Sequence, residues 1–424
     1  MSEVGAPLVE SSVYTGGQAS LTTPGGDTAP KASFGTAPLV VLITNVPNHY
    51  RIPLFNLLHD MLAAKGIRLY VLFGAAGYAA RRSLVDLNQC KFGFGILRTN
   101  EAFRGKGENP VFTYSPLFAT LKQLEPTVVV SNGFSFATTK LRLYNFLTRL
   151  PYIIWSGDVG QSRGVRWRVR ALHRRWLVAK ASGFIAYGTR AKKYLTTLGA
   201  RASDIAIGIN SVDTRFFADR AAEIRARKEL AVAQPKRLVY VGYLTQRKNV
   251  MALLKCTAEL ASRRNDFVLD VVGDGDERHA LESFARDHGL ESAVKFHGFK
   301  QKSELPELIA GASGFLFQTD FDIWGLVLVE AMACGVPCIA SPNAGATEDL
   351  VEEGVTGLVA DFNDTQAAVS KINWLLENPL AARQMGERGL RLIEQRASLE
   401  CSAAAFADKI EAVVGQSHKR RSVA

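Results

Sequence analysis

The chain has 424 residues, of which 47% are hydrophobic and 21% charged; this length suits two domains, and the composition is typical of a soluble globular protein. No stretch approaches the roughly 18 consecutive apolar residues of a membrane-spanning helix, and the polar N-terminus lacks the basic-then-apolar run of a signal peptide. The five scattered cysteines argue against a disulfide framework and against a zinc site, so we expect a cytoplasmic protein.

The positive charge is concentrated in one part of the chain. The net charge is +11, and the segment from Lys140 to Lys193 holds 13 Lys or Arg and a single acid, Asp158. The rest of the chain is therefore close to neutral. A basic face of this kind indicates an anionic partner such as membrane lipid, a phosphorylated substrate or nucleic acid.

The N-terminal half reads as one α/β domain. Residues 1–37 are rich in Gly, Ser, Thr, Ala and Pro without apolar periodicity, which predicts a disordered leader. Over residues 38–207, short apolar runs typical of strands alternate with helical patterns. The predicted strands are 38–44, 67–73, 127–130, 152–155 and 183–186, and the predicted helices include 53–65 and 191–198.

The same alternation restarts after an interdomain linker at residues 208–236. Residues 237–400 form the second domain, and residues 401–424 a C-terminal helix with a basic tail. We predict two Rossmann-like doubly wound domains that face each other across a cleft, with ligands beyond the carboxyl ends of the strands. The predicted elements are strands 237–241, 268–272, 294–296, 314–317 and 337–340, and helices 249–263, 277–288 and 324–334.

Two weak signals follow strands of the second domain. Gly242 ends one predicted strand, and Lys248 opens the next predicted helix, an arrangement that suits a phosphate held by backbone N–H groups and one cation. Gly273 and Gly275 follow the next strand and permit a close backbone approach. An ordinary surface helix and a tight turn would explain the same residues equally well.

The strongest signal is a pair of carboxylates, Asp322 and Glu330, eight residues apart. Eight residues make about two helical turns, so both carboxylates can face one ligand. Glu330 falls within an apolar helix, where an unpaired charge is costly. It either caps a backbone group or pairs with a basic residue, or it accepts hydrogen bonds from a polar ligand such as a ribose.

Around these residues the sequence resembles the retaining family 4 glycosyltransferases, which have the B-type fold of two Rossmann-like domains. The resemblance runs from about Leu39 to Glu400, and its most specific block is Phe317 to Val359. The segments 44–55, 187–193 and 210–213 resemble a subgroup that acts on cell-surface polysaccharides or lipid-linked sugars.

The resemblance implies a role for each matching residue. Asp322 would contact donor-sugar hydroxyls, Glu330 would bind the nucleotide ribose, and Phe299 would lie near the base. The diphosphate would be held by Lys248, by Arg247 and by the backbone N–H groups of Gly325, Leu326 and Val327. The donor pocket would be lined by Gly242, Gly273 and Gly275, and an acceptor-side loop would contain Asn45, His49 and Arg51.

Three positions depart from the family pattern. Tyr243 stands where an Arg is usual, and Asp322 is one methylene shorter than the usual Glu. Where many relatives have a His facing the anomeric carbon, this chain has a loop with Asp158. That carboxylate either takes a related catalytic role or only caps its loop.

The resemblance implies a retaining hexosyltransferase of cell-surface polysaccharide or glycolipid biosynthesis. It would use a UDP- or GDP-sugar as co-substrate and a glycan or lipid-linked acceptor, without metal or other cofactor. Lys248, Arg247 and the helix N-terminus would stabilise the departing diphosphate, and double inversion through a carboxylate is the rival mechanism. An epimerase or phosphorylase of the same fold is a second candidate, and a basic membrane- or nucleic-acid-binding protein on a degenerate scaffold is a third.

The basic segment predicts an amphipathic helix. Val165, Val169, Leu172 and Trp176 fall on one stripe with arginines beside it. Residues 163–180 either dock on anionic lipid at the inner face of a membrane or pack on the N-terminal sheet with a solvated basic face. We expect no nucleic-acid partner, since no helix-turn-helix or aromatic-interleaved basic sheet is present in the sequence pattern.

Overall fold

The computed structural model describes residues 21–22, 37–75, 85–97, 101–103, 111–160, 165–228 and 236–422. The predicted leader, residues 1–37, lies outside the described residues except at 21–22 and at 37. In the N-terminal part the strands are β1 (Leu21–Thr22), β2 (Leu39–Thr44), β3 (Arg68–Phe73), β4 (Gly93–Ile96), β5 (Glu101–Phe103), β6 (Val111–Phe112), β7 (Val128–Asn132), β8 (Tyr152–Ser156), β9 (Gly183–Ala186) and β10 (Ile205–Ile207). The helices there are α1 (Arg51–Ala64), α2 (Leu117–Leu124), α3 (Phe136–Thr148), α4 (Val165–Val178) and α5 (Thr189–Thr197).

The N-terminal sheet is parallel apart from its first strand. Its order is β1-β4-β3-β2-β7-β8-β9-β10, with β1 antiparallel to β4, while β5 and β6 form a separate antiparallel pair. Helices cover both faces, because the strands are continuous apolar runs that must be buried on both sides. Leu121 and Leu141 pack on one face, and Phe55 and Leu58 on the other.

The C-terminal part contains a second parallel sheet with the order β13-β12-β11-β14-β15-β16. Helices bury both faces of this sheet. One face packs against Phe217 and Leu328, and the other packs against Leu253 and Leu281. The elements are α6 (Thr214–Lys228), β11 (Lys236–Val241), α7 (Val250–Ala261), β12 (Phe267–Val272), α8 (Arg278–Asp287), β13 (Val294–Gly298), α9 (Leu305–Ile309), β14 (Gly314–Phe317), α10 (Leu326–Ala333), β15 (Cys338–Ala340), α11 (Gly345–Leu350), β16 (Leu358–Val359), α12 (Thr365–Glu377), α13 (Pro379–Arg396) and α14 (Leu399–Ser422).

The prediction of two doubly wound α/β domains is confirmed, with strand bounds that differ by at most a few residues from the expected ones. The segment predicted as a linker, 208–236, contains α6, and Phe217 and Ile224 of this helix are buried in the core of the C-terminal domain. Helix α14, in contrast, leaves the C-terminal domain and packs on the N-terminal one. Its Phe406 ring lies edge-on against Trp155, with the ring centroids 5.0 Å apart.

A second set of contacts joins the two domains at the start of α5. The Thr189 backbone N–H donates to the Asp349 carboxylate at 2.9 Å, and the Thr189 hydroxyl donates to the other carboxylate oxygen at 2.5 Å. Arg190 and Lys193 both form ion pairs with Glu348, at 2.9 and 2.6 Å. Because Asp349 and Glu348 lie on α11, these contacts link the N-terminal domain to the loops of the C-terminal sheet.

Replacing Phe406 with Ala tests the contribution of α14 to the N-terminal domain. Phe406 is 1% exposed, so the variant loses buried ring contacts and leaves a cavity, and we expect the free energy of unfolding to fall by about 3–5 kcal/mol. Urea denaturation followed by tryptophan fluorescence measures the change. Phe146→Ala is the matched control, since Phe146 is 79% exposed; equal losses for both variants would contradict the packing of α14 on this domain.

Candidate functional site

The central strand β11 marks the point where the C-terminal sheet changes direction. Strands β12 and β13 follow on one side of it, and β14 to β16 on the other. Ligands in open α/β sheets bind at such a switch point, beyond the carboxyl ends of the strands. The loops after β11 and β14 meet there, and they carry Lys248 and Asp322.

Lys248 and Asp322 form an ion pair across these two loops. The Lys248 ammonium lies 2.5 Å from one Asp322 carboxylate oxygen, and the other oxygen accepts the Trp324 backbone N–H at 3.2 Å. The Lys248 side chain is 7% exposed. The predicted phosphate-binding cation and the predicted sugar-binding carboxylate are therefore neighbours, and each compensates the charge of the other.

The two carboxylates do not share a helix, so helical spacing does not describe their geometry, and their contact with one ligand stays a prediction. Helix α10 begins at Leu326, so Asp322 lies in the loop before it and only Glu330 lies on the helix. Gly325 precedes the helix with φ +108°, and a Cβ there would overlap the ring of Phe317. The first backbone N–H groups of α10, those of Leu326 and Val327, have no carbonyl acceptor one turn earlier in the helix and suit an anionic group.

Glu330 is a buried carboxylate within an apolar helix. It is 7% exposed, and its Oε2 atom is buried without a hydrogen-bond partner among the described residues. Burial raises the pKa of Glu330 from 4.5 to about 7, against the opposing effect of the Lys302 charge. A buried acceptor of this kind costs free energy unless a ligand satisfies it, which favours a polar ligand over a backbone cap.

Lys302 is a basic residue of this region that the sequence analysis missed. It opens a 3-10 turn (Lys302–Glu304) after β13, lies 3.9 Å from the Asp213 carboxylate and sits over the Phe216 ring at 4.8 Å. Burial lowers the pKa of Lys302, while the charges of Asp213 and Glu330 act in the opposite direction. The sequence did contain a signal for Lys302, because this basic residue follows the strand end at Gly298 by four residues, where ligands of such sheets bind.

The glycines predicted to line the donor pocket bring three loops together at the carboxyl ends of β11, β12 and β13. Gly273 has φ +148°, and a Cβ there would overlap the carbonyl oxygen of Gly242. The Gly273 N–H donates to the Gly298 carbonyl at 2.9 Å, and a Cβ at Gly275 would overlap the Leu244 carbonyl. Close backbone packing therefore explains the glycines, and contact with a donor stays a prediction.

The remaining predicted donor-side residues lie at the same strand ends. Arg247 donates to the Phe321 carbonyl at 2.8 Å and lies 4.0 Å from the Asp322 carboxylate. Tyr243, where the resemblance leads us to expect an Arg, is 53% exposed, and Phe299 is 36% exposed. Arg247 and Phe299 are both accessible to a ligand in the cleft.

The predicted acceptor-side loop follows β2, the switch-point strand of the N-terminal sheet. The Asn45 side-chain oxygen accepts the Tyr114 hydroxyl at 2.6 Å, and the half-buried His49 ring packs edge-on against Tyr50. Arg51 is 7% exposed. Contact of this loop with an acceptor stays a prediction.

The buried Arg51 joins several strand ends. Its guanidinium donates to the Thr44 hydroxyl at 2.6 Å and to the Tyr187 hydroxyl at 2.8 Å, and it lies 4.4 Å from the Trp155 ring centroid. These partners follow or end β2, β8 and β9. Arg51 thus fixes the base of the cleft on the N-terminal side.

Asp158 has the contacts of a loop-capping residue. Its carboxylate accepts the Gly160 backbone N–H at 2.9 Å and pairs with the Arg174 guanidinium through both oxygens. The Arg174 side chain is 11% exposed and also donates to the Tyr194 hydroxyl at 2.7 Å. A catalytic role for Asp158 stays a prediction, and these contacts correspond to its structural role as a cap.

The predicted amphipathic helix is present as α4, but its apolar stripe does not pack on the sheet. Val169 and Leu172 are each 64% exposed and Trp176 is 37% exposed, whereas Leu177 and Val178 are buried; the side chain of Val165 lies outside the described residues. The stripe therefore faces solvent beside the exposed Arg168, Arg170 and Arg175, whereas Arg174 pairs with Asp158.

Neither a membrane-spanning helix nor a metal-binding cluster occurs in the described part of the chain. None of its helices has both the length and the apolar composition needed to cross a bilayer. Within the same residues, no group of three or more His, Cys, Asp or Glu side chains is arranged to hold a metal ion.

Comparison with known proteins shows a family to which the C-terminal domain is similar. Residues 222–391 match the profile of the family described as glycosyl transferases group 1. This part of the chain is similar to the group 1 glycosyltransferases. The matched residues include every element that carries Lys248, Asp322, Lys302 and Glu330.

Sequence relatives of this domain have several different activities. The chain is 33% identical over 186 residues to a GDP-mannose-dependent alpha-(1-6)-phosphatidylinositol monomannoside mannosyltransferase of Mycolicibacterium smegmatis. The aligned region covers 42% of this chain and 48% of the relative. It is 29% identical over 186 residues to the N-acetyl-alpha-D-glucosaminyl L-malate synthase of Bacillus anthracis. This alignment covers 44% of this chain and 48% of the relative. The chain thus matches about half the length of these relatives.

Solved structures of other proteins share the fold over most of this chain. Anabaena Alr3699/HepE in complex with UDP aligns with a TM-score of 0.68 at 21% identity, over 88% of this chain and all of that chain. The sucrose-phosphate synthase of Thermosynechococcus elongatus aligns with a TM-score of 0.68 at 19% identity, over 89% and 100%. The fold predicted from the sequence, two Rossmann-like domains of the B type, is confirmed.

The raised pKa of Glu330 predicts a pH-dependent stability. The folded-state pKa of about 7 exceeds the ordinary 4.5, so the folded protein binds this proton more tightly than the unfolded chain. The contribution of Glu330 to the free energy of unfolding is therefore greatest below pH 4.5 and declines as the pH rises to 7. Glu330→Gln removes this decline, and the variant should gain about 3 kcal/mol relative to wild type across that interval.

Chemical denaturation at a series of pH values measures this difference. Glu291→Gln is the matched control for loss of a carboxylate, because Glu291 is exposed. A gap between wild type and Glu330→Gln that stays constant with pH would show that Glu330 ionises in the folded protein as it does in the unfolded chain.

Proposed function

We propose that this protein is a glycosyltransferase that moves a hexosyl unit from a UDP- or GDP-sugar to a hydroxyl of a glycan or lipid-linked acceptor. The observation that carries the proposal is Glu330: a buried carboxylate with an unpartnered oxygen, beside the switch point of a group 1 glycosyltransferase domain. The two adjacent hydroxyls of a nucleotide ribose would satisfy such a carboxylate as donors. The protein would serve cell-surface polysaccharide or glycolipid biosynthesis.

The Lys248–Asp322 pair supports binding of a sugar diphosphate. A diphosphate bound near Lys248, Arg247 and the N-terminus of α10 would replace Asp322 as the anionic partner of Lys248. Asp322 would then be able to accept hydrogen bonds from hydroxyls of the sugar. The charges are held in place before the ligand arrives, so little reorganisation is needed on binding.

The relatives are compatible with a UDP- or GDP-sugar as donor, but they do not decide whether the nucleotide base is uracil or guanine. Anabaena Alr3699/HepE has been solved with UDP and with UDP-glucose, and the Mycolicibacterium smegmatis relative is GDP-mannose-dependent. Phe299, partly exposed at the end of β13, offers a ring against either base.

The proposed reaction proceeds with retention of configuration. The bond between the anomeric carbon and the diphosphate oxygen breaks, and a bond from the same face of that carbon to the acceptor oxygen forms. The acceptor hydroxyl proton passes to the departing phosphate oxygen. Lys248, Arg247 and the first N–H groups of α10 stabilise the negative charge that develops on the leaving group.

The rival double displacement needs a carboxylate free to attack the anomeric carbon. In the proposed donor complex Asp322 accepts the sugar hydroxyls and the Trp324 N–H, and Asp158 is held by Arg174. A covalent glycosyl-enzyme trapped with a slow donor analogue would establish the rival route instead.

Nucleotide binding tests the proposal directly. We expect one of UDP and GDP to bind the wild-type protein, and Glu330→Gln to weaken that binding about 10- to 100-fold, since a charge-assisted hydrogen bond contributes about 1.5–3 kcal/mol. Calorimetric titration of both nucleotides measures the affinities, with Glu291→Gln as the control. If neither nucleotide binds at millimolar concentration, the C-terminal domain is a degenerate scaffold and a non-enzymatic function gains support.

A substitution of Asp158 separates its two possible roles. We infer that Asp158 fixes the loop after β8 through Arg174, so Asp158→Asn should lower the free energy of unfolding by about 1–3 kcal/mol and reduce kcat by less than about tenfold. A catalytic acid or base would lose about 100-fold or more in kcat at unchanged stability. Asp219→Asn, at an exposed aspartate on α6, is the matched control.

A further inference from the structure

Exposed large apolar side chains are concentrated on two helices of the N-terminal domain. Of the fifteen exposed in the described residues, seven lie on α3 and α4. Single exposed apolar residues are ordinary on protein surfaces, but a contiguous group marks an interaction site. The group consists of Phe136 (48% exposed), Leu143 (52%), Phe146 (79%), Leu147 (79%), Val169 (64%), Leu172 (64%) and Trp176 (37%).

The two helices form one continuous surface. The Arg142 guanidinium on α3 lies 4.8 Å from the Trp176 ring centroid on α4, and the Thr139 hydroxyl is 3.1 Å from the His173 ring nitrogen. The apolar residues also follow one another along each helix. On α4, Val169, Leu172 and Trp176 are spaced at i, i+3 and i+7 and therefore share one face of the helix. On α3, Leu143, Phe146 and Leu147 lie together in the last two turns.

The charges on this surface are of one sign. Helices α3 and α4 contain no Asp or Glu, and Arg168, Arg170 and Arg175 on α4 are exposed, as is Arg149 directly after α3. Long arginine side chains can keep their guanidinium groups at the level of lipid headgroups while apolar neighbours insert below them. The pattern is therefore complementary to an anionic bilayer surface.

The same charges disfavour a second copy of the chain as the occupant. Two such faces in a symmetric dimer would place arginines against arginines without a carboxylate on either helix to compensate them. A nucleic acid would satisfy the arginines but leave side chains such as Phe146 and Leu147, each 79% exposed, without apolar cover.

We propose that α3 and α4 together form a docking surface for an anionic lipid bilayer, which we term the α3–α4 surface. It is wider than the basic segment 163–180, because four of its seven exposed apolar residues lie on α3. The docking does not depend on the proposed glycosyl transfer. If that function holds, the surface also brings the acceptor side of the cleft to a lipid-linked acceptor, since α3 and α4 follow β7 and β8, whose carboxyl ends line the N-terminal side of the cleft.

Vesicle co-sedimentation of the full chain tests the proposal. We expect the protein to bind phosphatidylcholine vesicles that contain about 30 mol % phosphatidylglycerol at least tenfold more strongly than pure phosphatidylcholine, with binding that weakens as salt rises. Equal binding to both vesicles, or binding to neither, would overturn the proposal.

Matched substitutions locate the surface. Leu147→Ser and Leu380→Ser remove leucines of nearly equal exposure, 79% and 78%, on α3 and on α13 of the other domain. We expect a loss of about fivefold or more in vesicle binding only for Leu147→Ser, and a larger loss for Phe146→Ser/Leu147→Ser. Arg168→Gln/Arg170→Gln should reduce binding to anionic vesicles, and Arg383→Gln/Arg391→Gln on α13 should not.

Two further measurements distinguish the other occupants and the enzymatic function. Sedimentation velocity that shows a dimer lost in Phe146→Ser/Leu147→Ser, or a short DNA duplex that binds more tightly than anionic vesicles, would replace the bilayer as the occupant. All α3 and α4 variants should bind nucleotide as wild type does, which shows that they are folded. Vesicle binding without nucleotide binding would leave this inference intact and reject the proposed function alone.

Discussion

The return of helix α14 to the N-terminal domain is the constraint on which the cleft depends. The chain passes from the first domain to the second after β10 and comes back at Leu399, so the two domains are joined twice at one edge. Phe406 packs against Trp155 there, and Ser402 donates to the Ile209 carbonyl at 2.6 Å. The ion pairs of Glu348 with Arg190 and Lys193 add a polar contact on α11, whose start lies beside the loop that carries Asp322. The strand ends of both sheets therefore face one space.

Within that space, the carboxylates of Asp322 and Glu330 have different surroundings. Asp322 is paired with Lys248, and the pair can be exchanged for contacts with a ligand at little cost because each charge is already desolvated. Glu330 is buried with one oxygen unpartnered, which disfavours its ionised form and raises its pKa to about 7. A fold selected for stability alone would place an apolar residue there. This is the physical reason to read α10 as a ligand-binding helix.

The N-terminal domain combines a rigid interior with an unusual exterior. Arg51 and Asp158 are both engaged within the domain, the first by Thr44 and Tyr187 and the second by Arg174. These contacts fix the strand ends on the acceptor side without exposing either charge fully. The outer faces of α3 and α4, in contrast, present apolar and basic side chains that no other part of the described chain covers. The proposed docking surface and the predicted acceptor-side loop thus belong to the same domain.

The sequence alone determined the fold, and it predicts where the site lies. Continuous apolar strands and helical periodicity require two parallel sheets covered on both faces, and ligands at the ends of their strands follow from that topology. The sequence pattern also singled out Asp322, Glu330 and Lys248. Only the tertiary structure decided which charges meet: Lys248 with Asp322, Arg174 with Asp158, and Lys302 near Glu330. It also decided that the stripe on α4 faces solvent beside α3. Periodicity shows which residues share a face of one element, but what that face meets depends on elements distant in sequence.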